Sequence, residues 1–294
     1  MKLTFYKGDI PNFGDDLNNI MWDALLAPGF LDDNEDELFL GVGSILWDFL
    51  PKKPKKIVMG SGYGGYSGKP NVHDGSWDVA FVRGPRTAKA LNLDPNLAIT
   101  DAAILTRFMN LPAQTKKYKV SFMPHWESIP RGNWQSVCKQ AGINYIDPTD
   151  PDVMRSLQAI QQTELLVTEA MHGAILADTL RVPWLALEPI FPRHRNKWFD
   201  WSESMSIDLK FNTTPSSSIK DFWSHKTGNQ GMGNRSVQLG KLLSFTDSYF
   251  IDNAAEKLLM LAKSHGQMSS DNTFIDKSEM ALEKLSQYCK INSL

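Results

Sequence analysis

The chain has 294 residues, of which 42% are hydrophobic and 22% are charged, and this balance excludes a largely disordered or fibrous protein. Its 31 lysine and arginine residues face 33 aspartate and glutamate residues, so the net charge of −2 argues against a general nucleic-acid binder. Neither a signal-like segment nor an apolar run long enough to span a membrane is present, so we expect a cytoplasmic protein.

The first part of the chain alternates short apolar runs with helical patterns, which is typical of βαβ units with a parallel sheet. A strand over residues 3–6 precedes an amphipathic helix over residues 15–26. Further buried strands are predicted over residues 38–46, 56–60, 78–83 and 98–104. Pro112 and a charged run then indicate a boundary, which gives an N-terminal Rossmann-like domain over residues 1–115.

The same alternation begins again after the boundary. Strands are predicted over residues 120–123, 145–147, 165–168 and 184–187, with helices over residues 134–141 and 171–180 and one capped by Asp150 and Pro151. The second Rossmann-like domain, residues 116–249, includes an irregular aromatic-rich stretch over 191–201 and a mobile loop over 227–236. We therefore expect an α/β protein with two Rossmann-like domains facing a cleft, where ligands bind beyond the carboxyl ends of the strands.

Two helices are predicted for the C-terminal region, residues 250–294, and we expect both to pack back on the N-terminal domain. They cover residues 250–263 and 276–290, the second opened by a capping box of Asp276 and Glu279.

Three patterns that suggest metals, nucleotides or disulfides are weak. Gly60, Gly62 and Gly65 have dinucleotide-fingerprint spacing, but the residues that follow favour a loop over the required helix. The acidic pair around Pro151 is better explained as a helix cap than as a metal site. Cys138 and Cys289 stand far apart and predict neither a disulfide framework nor a zinc site.

Two motifs of the first domain follow predicted strands. Asn12, Asp15 and Asp16 stand at a helix start, where they cap the helix or bind sugar hydroxyls. Arg83 ends a buried strand and Arg86 lies in the first turn of the next helix, an arrangement suited to clamping a carboxylate or phosphate. The alternative for these arginines is an exposed side chain or a salt bridge to Asp101.

The second domain contributes histidines at its strand ends. Glu169, His172 and Gly173 span a strand-to-helix junction, where a histidine is better placed for function than for packing. His125 also ends a strand, and a ligand role and a packing role are equally open for it. Trp126 beside it faces the same predicted cleft. Arg193 and Arg195 follow the last predicted strand and either contact phosphate or form a solvated charge run.

Over roughly residues 1 to 190, the NFGDDLN loop, the VRGPRT turn and the stretch TEAMHGAILADTLRVPWLAL resemble the polysaccharide pyruvyl transferase family. The resemblance implies a two-domain fold similar to GT-B glycosyltransferases. It also implies transfer of the enolpyruvyl carbons of phosphoenolpyruvate to two hydroxyls of a sugar, which forms a pyruvate ketal in exopolysaccharide biosynthesis. Many members carry arginine and leucine before the histidine, whereas this chain has Ala170 and Met171.

The resemblance implies roles for the residues that match it. His172 is expected to protonate the donor, with Gly173 beside it, and Arg83 and Arg86 to hold the donor's anionic groups. The work of the missing arginine is expected to fall to Arg86, Arg193 or Arg195. The base that assists the acceptor is left open between His125, Glu169 and Asp15. Asn12, Asp15, Asp16 and Trp126 are expected to bind the acceptor.

The expected ligands are phosphoenolpyruvate and a saccharide or lipid-linked oligosaccharide, with no cofactor, metal or nucleic acid. A lipid-linked acceptor would require peripheral association with the inner face of the membrane. Two alternatives are a GT-B glycosyltransferase that uses a nucleotide sugar and a non-catalytic carbohydrate-binding protein.

Overall fold

The computed structural model describes residues 1–228, 238 and 244–291. The chain forms two compact units, each assembled from separate stretches of sequence. Unit 1 combines Met1–Pro112, Arg193–Leu209 and the described residues from Ser269 onward. Unit 2 combines Ala113–Pro192 with the described residues of Lys210–Met268. The predicted second domain runs without interruption to residue 249, whereas the chain returns to unit 1 over residues 193–209.

The described strands and helices are as follows. The strands are β1 (Lys2–Thr4), β2 (Glu37–Leu40), β3 (Lys55–Met59), β4 (Trp77–Phe81), β5 (Tyr118–Met123), β6 (Asn144–Tyr145), β7 (Thr163–Thr168), β8 (Trp184–Leu187) and β9 (Phe211–Asn212). The helices are α1 (Phe13–Leu25), α2 (Pro85–Ala90), α3 (Trp134–Ala141), α4 (Val153–Gln161), α5 (Met171–Thr179), α6 (Pro192–Ser204), α7 (Ile219–Thr227), α8 (Asp247–Leu261) and α9 (Asp271–Tyr288).

Unit 1 contains a parallel sheet with the strand order β1-β2-β3-β4. Phe39 on β2 pairs with Ile57 on β3, and both side chains are buried. Trp22 on α1 packs edge-to-face on Phe39, with ring centroids 4.7 Å apart. Strands of such a sheet are covered on both faces, which explains why they appear in the sequence as continuous apolar runs.

Unit 2 contains a parallel sheet with the strand order β6-β5-β7-β8-β9. The chain adds β6 on one side of β5 and then β7 on the other, so the direction of winding reverses between β5 and β7. In open α/β sheets this reversal leaves a crevice outside the carboxyl ends of the two strands, where ligands bind. Both units are therefore α/β structures with parallel sheets, compatible with Rossmann-like folds.

A buried ion pair explains why residues 193–209 belong to unit 1. Asp200 on α6 accepts hydrogen bonds from Arg83 Nε at 3.0 Å and from the Thr87 backbone N–H at 2.9 Å. A Cβ atom on Gly84 would lie 1.9 Å from the Asp200 carbonyl oxygen, so only glycine permits this close approach. The Arg83 and Asp200 side chains are 0% and 2% exposed, and α6 is thereby fixed against the start of α2.

Two predicted elements are wrong. Residues 98–104 form no strand, because the buried Asp101 side chain accepts from Ala103 N at 3.0 Å and caps a 3-10 helix over Ala102–Phe108. The apolar run is buried, and periodicity alone does not distinguish such a run from a strand. The aromatic-rich stretch is also regular, since it forms α6 with Trp198 and Trp201 buried on one face.

Several boundaries also shift. Helix α1 begins after Asn12 rather than at Asp15, and α4 begins after Asp152, which replaces Asp150 as its cap. Strand β2 ends at Leu40, six residues before the predicted end at residue 46. No helix follows β3 over residues 61–76, as expected for a loop. Most of the loop predicted over 227–236 lies outside the described residues.

The C-terminal helices divide between the two units. Helix α9 belongs to unit 1, where the Tyr288 hydroxyl donates to Asp78 Oδ1 at 2.7 Å. It begins at Asp271 and is capped by Ser270, so the predicted Asp276 capping box is wrong. Helix α8 belongs to unit 2, because its Ala254, Ala255 and Leu258 share a core with α3.

Replacing Arg83 by alanine should strongly destabilise the protein, because it leaves the Asp200 carboxylate buried without its opposite charge. We expect the free energy of unfolding to fall by about 3–5 kcal/mol, measured by denaturant titration. Arg86→Ala is the matched control from the same motif. Its guanidinium is 42% exposed and pairs with Glu203 at 2.6 Å, so we expect a loss of roughly 1 kcal/mol. Equal losses for the two variants would contradict this assignment.

Candidate functional site

Glu169 lies at the crevice of unit 2, directly after β7. Its backbone N–H donates to the carbonyl oxygen of Met123, the last residue of β5, at 3.0 Å. Its side-chain Oε2 accepts from the His125 backbone N–H at 3.0 Å. One residue therefore ties together the two turns that follow β5 and β7, at the point where the strand order reverses.

The carboxyl group of Glu169 has a raised pKa. Burial is the main cause, because the charged form is removed from water, and the nearby Asp221 carboxylate acts in the same direction. The Arg131 guanidinium, the Ser128 hydroxyl and the His125 N–H oppose the shift by stabilising the charged form. A carboxyl group with a raised pKa in a crevice is suited to accept and return a proton.

His172 stands in the first turn of α5, close in sequence to Glu169. The turn between them is fixed by the Thr168 hydroxyl, which accepts from the Ala170 backbone N–H at 2.9 Å. No side chain caps α5 at Ala170. His172 is half-buried at the positive end of this nine-residue helix, where anions are favoured.

Gly173 has a packing role in the structure. A Cβ atom at this position would lie 2.7 Å from Thr168 Oγ1 and 2.9 Å from Met123 Sδ. The glycine therefore lets α5 approach the ends of β7 and β5. Its expected role toward the donor stays a prediction.

His125 and Trp126 follow β5 at the same crevice. The His125 Nδ1 atom accepts from the Glu127 backbone N–H at 3.4 Å and lies 3.5 Å from Glu127 Oε2. Its ring centroid is 5.9 Å from that of Trp126, and both residues are half-buried. The structure thus brings His125, Trp126, Glu169, His172 and Gly173 to one edge of the unit 2 sheet.

The remaining predicted residues lie in unit 1. Asn12 caps α1, because its Oδ1 accepts from Gly14 N at 3.3 Å. Its Nδ2 donates to Asp15 Oδ2 at 2.6 Å, and its backbone N–H donates to Asp16 Oδ2 at 2.8 Å. These contacts are those of a helix cap, and acceptor binding by the three residues stays a prediction.

The predicted donor-binding arginines differ in what they contact. Arg83 Nε donates to Asp200, and Arg83 Nη1 donates to Ser44 Oγ at 2.7 Å, so this side chain is largely engaged within the protein. Arg86 is held by Glu203 and lies 4.6 Å from the centroid of the Phe199 ring. Arg193 is exposed, with its guanidinium 5.8 Å from the centroid of Tyr66, and Arg195 is half-buried. Their roles toward a donor stay predictions.

Several residues that hold these sites carry no signal in the sequence. Asp200 lies 117 positions from Arg83, and Asp221 lies 90 positions from its partner Arg131. No spacing pattern joins residues so far apart. Ser44 and Ser128 are equally inconspicuous, since a lone serine in a loop has no distinctive context.

Within the described ranges, no group of three or more His, Cys, Asp or Glu side chains is arranged to hold a metal ion. Cys138 and Cys289 are free and buried, and burial raises the pKa of each thiol to about 12. Among the residues described, no helix combines the length and the apolar character needed to cross a bilayer.

Comparison with known proteins identifies the family to which the chain belongs. The sequence profile described as "Polysaccharide pyruvyl transferase" matches residues 3–189, and the chain belongs to that family. It is 42% identical over 220 residues to the succinoglycan biosynthesis protein ExoV of Rhizobium meliloti (strain 1021), an alignment that covers 73% of this chain and 68% of ExoV. No solved structure matches the chain significantly.

The raised pKa of Glu169 predicts a pH-dependent effect of Glu169→Gln on stability. The folded protein binds this proton more tightly than the unfolded chain, so ionisation of Glu169 lowers the free energy of unfolding as the pH rises above the ordinary value of 4.5. Glutamine does not ionise, so the free energy of unfolding of the variant is not lowered in this way.

We therefore expect the free energy of unfolding of Glu169→Gln, relative to wild type, to increase as the pH rises above the ordinary value of 4.5. Urea denaturation at a series of pH values measures the difference. Glu164→Gln is the control, because Glu164 is 43% exposed and pairs with Lys119 on the surface. A relative stability of Glu169→Gln that is constant or falls with pH would show that the assigned shift is wrong.

Proposed function

We propose that this protein transfers the enolpyruvyl carbons of phosphoenolpyruvate to two hydroxyls of a sugar, forming a pyruvate ketal on a bacterial exopolysaccharide or its lipid-linked precursor. Membership of the polysaccharide pyruvyl transferase family and the similarity to a succinoglycan biosynthesis protein support the proposal. The observation that carries it is the placement of a carboxyl group with a raised pKa close in sequence to a histidine at the β7–α5 junction.

His172 is proposed to protonate C3 of phosphoenolpyruvate. This donor is an enol phosphate, and protonation at C3 makes C2 electrophilic. An imidazolium positioned for the transfer contributes roughly 10²- to 10⁴-fold to the rate. The place of His172 in the first turn of α5 supports this role, because the helix N-terminus favours the donor's phosphate or carboxylate beside the acid.

Glu169 is proposed as the base for the acceptor. One sugar hydroxyl attacks C2 and passes its proton to the Glu169 carboxylate. The second hydroxyl then forms the other C–O bond as the C2–O bond to phosphate breaks, and phosphate leaves with the released proton. The contacts favour Glu169 over Asp15, which belongs to the α1 cap, and over His125, whose backbone N–H holds the Glu169 carboxyl.

The other ligand contacts follow from the family resemblance. The donor's anionic groups are proposed to be held by Arg86, Arg193 and Arg195, in place of the family arginine absent at Ala170. Arg83 is proposed to contribute through Nη2, its one nitrogen that makes no hydrogen bond within the described structure. The reaction is proposed to need no resident cofactor. The GT-B arrangement, the cytoplasmic location and contact with the membrane stay predictions.

The donor can be identified by thermal unfolding of the full chain. A ligand at about one hundred times its Kd adds about 2.7 kcal/mol to the free energy of unfolding. We expect phosphoenolpyruvate to raise Tm, and uridine and guanosine diphosphates to leave it unchanged. Stabilisation by a nucleoside diphosphate alone would instead support the nucleotide-sugar transferase.

Replacing His172 by alanine should remove most turnover while the protein stays folded. We expect phosphate release from phosphoenolpyruvate with a glycoside acceptor to fall by roughly 10²-fold or more. His265→Ala is the matched control, because His265 is an exposed residue of unit 2 outside the β5 and β7 turns. Near-normal phosphate release by His172→Ala, with unchanged circular dichroism, would refute the acid role.

A further inference from the structure

A buried ion pair lies beside the Glu169 carboxyl in unit 2. Arg131 Nε donates to Asp221 Oδ1 at 3.1 Å, and the two side chains are only 3% and 1% exposed. Burying two charges costs several kcal/mol per ion unless hydrogen bonds and mutual attraction compensate. Replacement by apolar residues is often neutral, so stability alone is a weak explanation for such a pair.

Ser128 connects this ion pair to Glu169. Arg131 Nη2 donates to Ser128 Oγ at 2.7 Å, and the Ser128 hydroxyl acts to lower the pKa of the Glu169 carboxyl. Arg131 Nη1 also donates to the Glu127 carbonyl oxygen at 2.9 Å. The guanidinium thus holds the turn that follows β5, from which the His125 N–H reaches the same carboxyl.

Asp221 is held by a serine-rich segment that precedes α7. Its Oδ2 accepts from the Ser217 backbone N–H at 2.9 Å, and Ser218 caps α7 by accepting from Asp221 N at 3.1 Å. The Ser218 hydroxyl also donates to the Arg131 carbonyl oxygen. The carboxylate and the guanidinium are therefore both fixed by backbone contacts, which keeps their charges at constant positions near Glu169.

The two charges of the pair act on Glu169 in opposite directions. Arg131 favours the ionised carboxyl, whereas Asp221 disfavours it. Other titratable groups on the elements around Glu169 include His125 and Glu127 after β5, Tyr145 on β6, Asp147 after β6, His172 and Asp178 on α5, and Lys220 and His225 on α7.

We propose that Arg131 and Asp221 are positioning residues that control the ionisation of the Glu169 carboxyl. Arg131 favours the ionised carboxyl and Asp221 disfavours it, and Ser128 lies between the ion pair and Glu169. The consequence of this control for catalysis rests on the proposed function, in which the ionised Glu169 accepts a proton. The charge on Glu169 itself is measurable without any turnover.

The test is a titration of the Glu169 carboxyl by ¹³C NMR in the full chain labelled with ¹³C-glutamate, with Glu169→Gln to assign the signal. Arg131→Met should move the midpoint to higher pH and Asp221→Asn to lower pH, each by on the order of one pH unit. Movement of both midpoints in the same direction, or of neither, overturns the proposal.

Two further sets of variants separate electrostatics from folding. Ser128→Ala leaves both charges in place and removes only the link, and we expect a smaller shift to higher pH. If one of Arg131→Met and Asp221→Asn unfolds, the midpoint of the other decides the question, and an unmoved midpoint in that variant overturns the proposal. Arg155→Met and Asp150→Asn are matched controls, because this exposed pair at 2.8 Å lies in the same unit and should leave the midpoint unchanged.

The pH dependence of kcat distinguishes this inference from the proposed function. The acidic limb of the profile should move with the NMR midpoint, to higher pH in Arg131→Met and to lower pH in Asp221→Asn. Movement of the midpoint without movement of the limb supports the control of charge by the pair and overturns the acid–base role of Glu169. A general loss of stability would lower kcat without shifting the limb.

Discussion

A carboxyl group removed from water persists only where donors and an opposite charge compensate for its lost hydration. Glu169 meets this condition at the edge of the unit 2 sheet through the His125 N–H, the Ser128 hydroxyl and the Arg131 guanidinium. The compensation is incomplete, since the pKa of the carboxyl stays above its ordinary value. The reversal of strand order between β5 and β7 makes the arrangement possible, because it brings two turns together and leaves space for a ligand beside them.

Both units use a buried arginine to attach a distant stretch of chain. Arg83 in unit 1 holds Asp200 on α6, and Arg131 in unit 2 holds Asp221 on α7. Each aspartate also accepts a backbone N–H, from Thr87 in the first case and Ser217 in the second. The two pairs differ in their surroundings, because only Arg131 acts electrostatically on a carboxyl group at a candidate site.

Local signals were enough to predict many elements of the fold. The helix over residues 134–141 agrees with α3, which ends at Gly142 in the left-handed conformation, and the strand over residues 184–187 agrees with β8. The prediction failed where tertiary contacts decide the structure. Residues 98–104 turn at the Asp101 cap instead of extending, and α6 forms in a stretch whose aromatic and charged residues show no simple stripe.

The position of the candidate site at the sheet edge was predictable, but the partners of its residues were not. The position of His125, Glu169 and His172 at one edge of the sheet was predictable, because the carboxyl ends of parallel strands meet there. Arg131 and Asp221, which act on the Glu169 carboxyl, were not predictable, because β6 to β9 and the helices between them separate the two residues in the sequence. Arg83 was predicted to be accessible to a ligand, but its partner Asp200 was not predicted. The structure shows that both side chains are buried.

The interleaving of the two units limits how this protein can be divided. The stretch that matches the family profile stops at residue 189, whereas the aspartate that neutralises the buried guanidinium of unit 1 comes eleven residues later, at Asp200. A fragment cut at the end of the matched stretch would also lack α9, which packs on β4. The stretch that matches the family profile thus leaves out segments that contact the N-terminal sheet of this chain, and a fragment limited to it would lose those contacts.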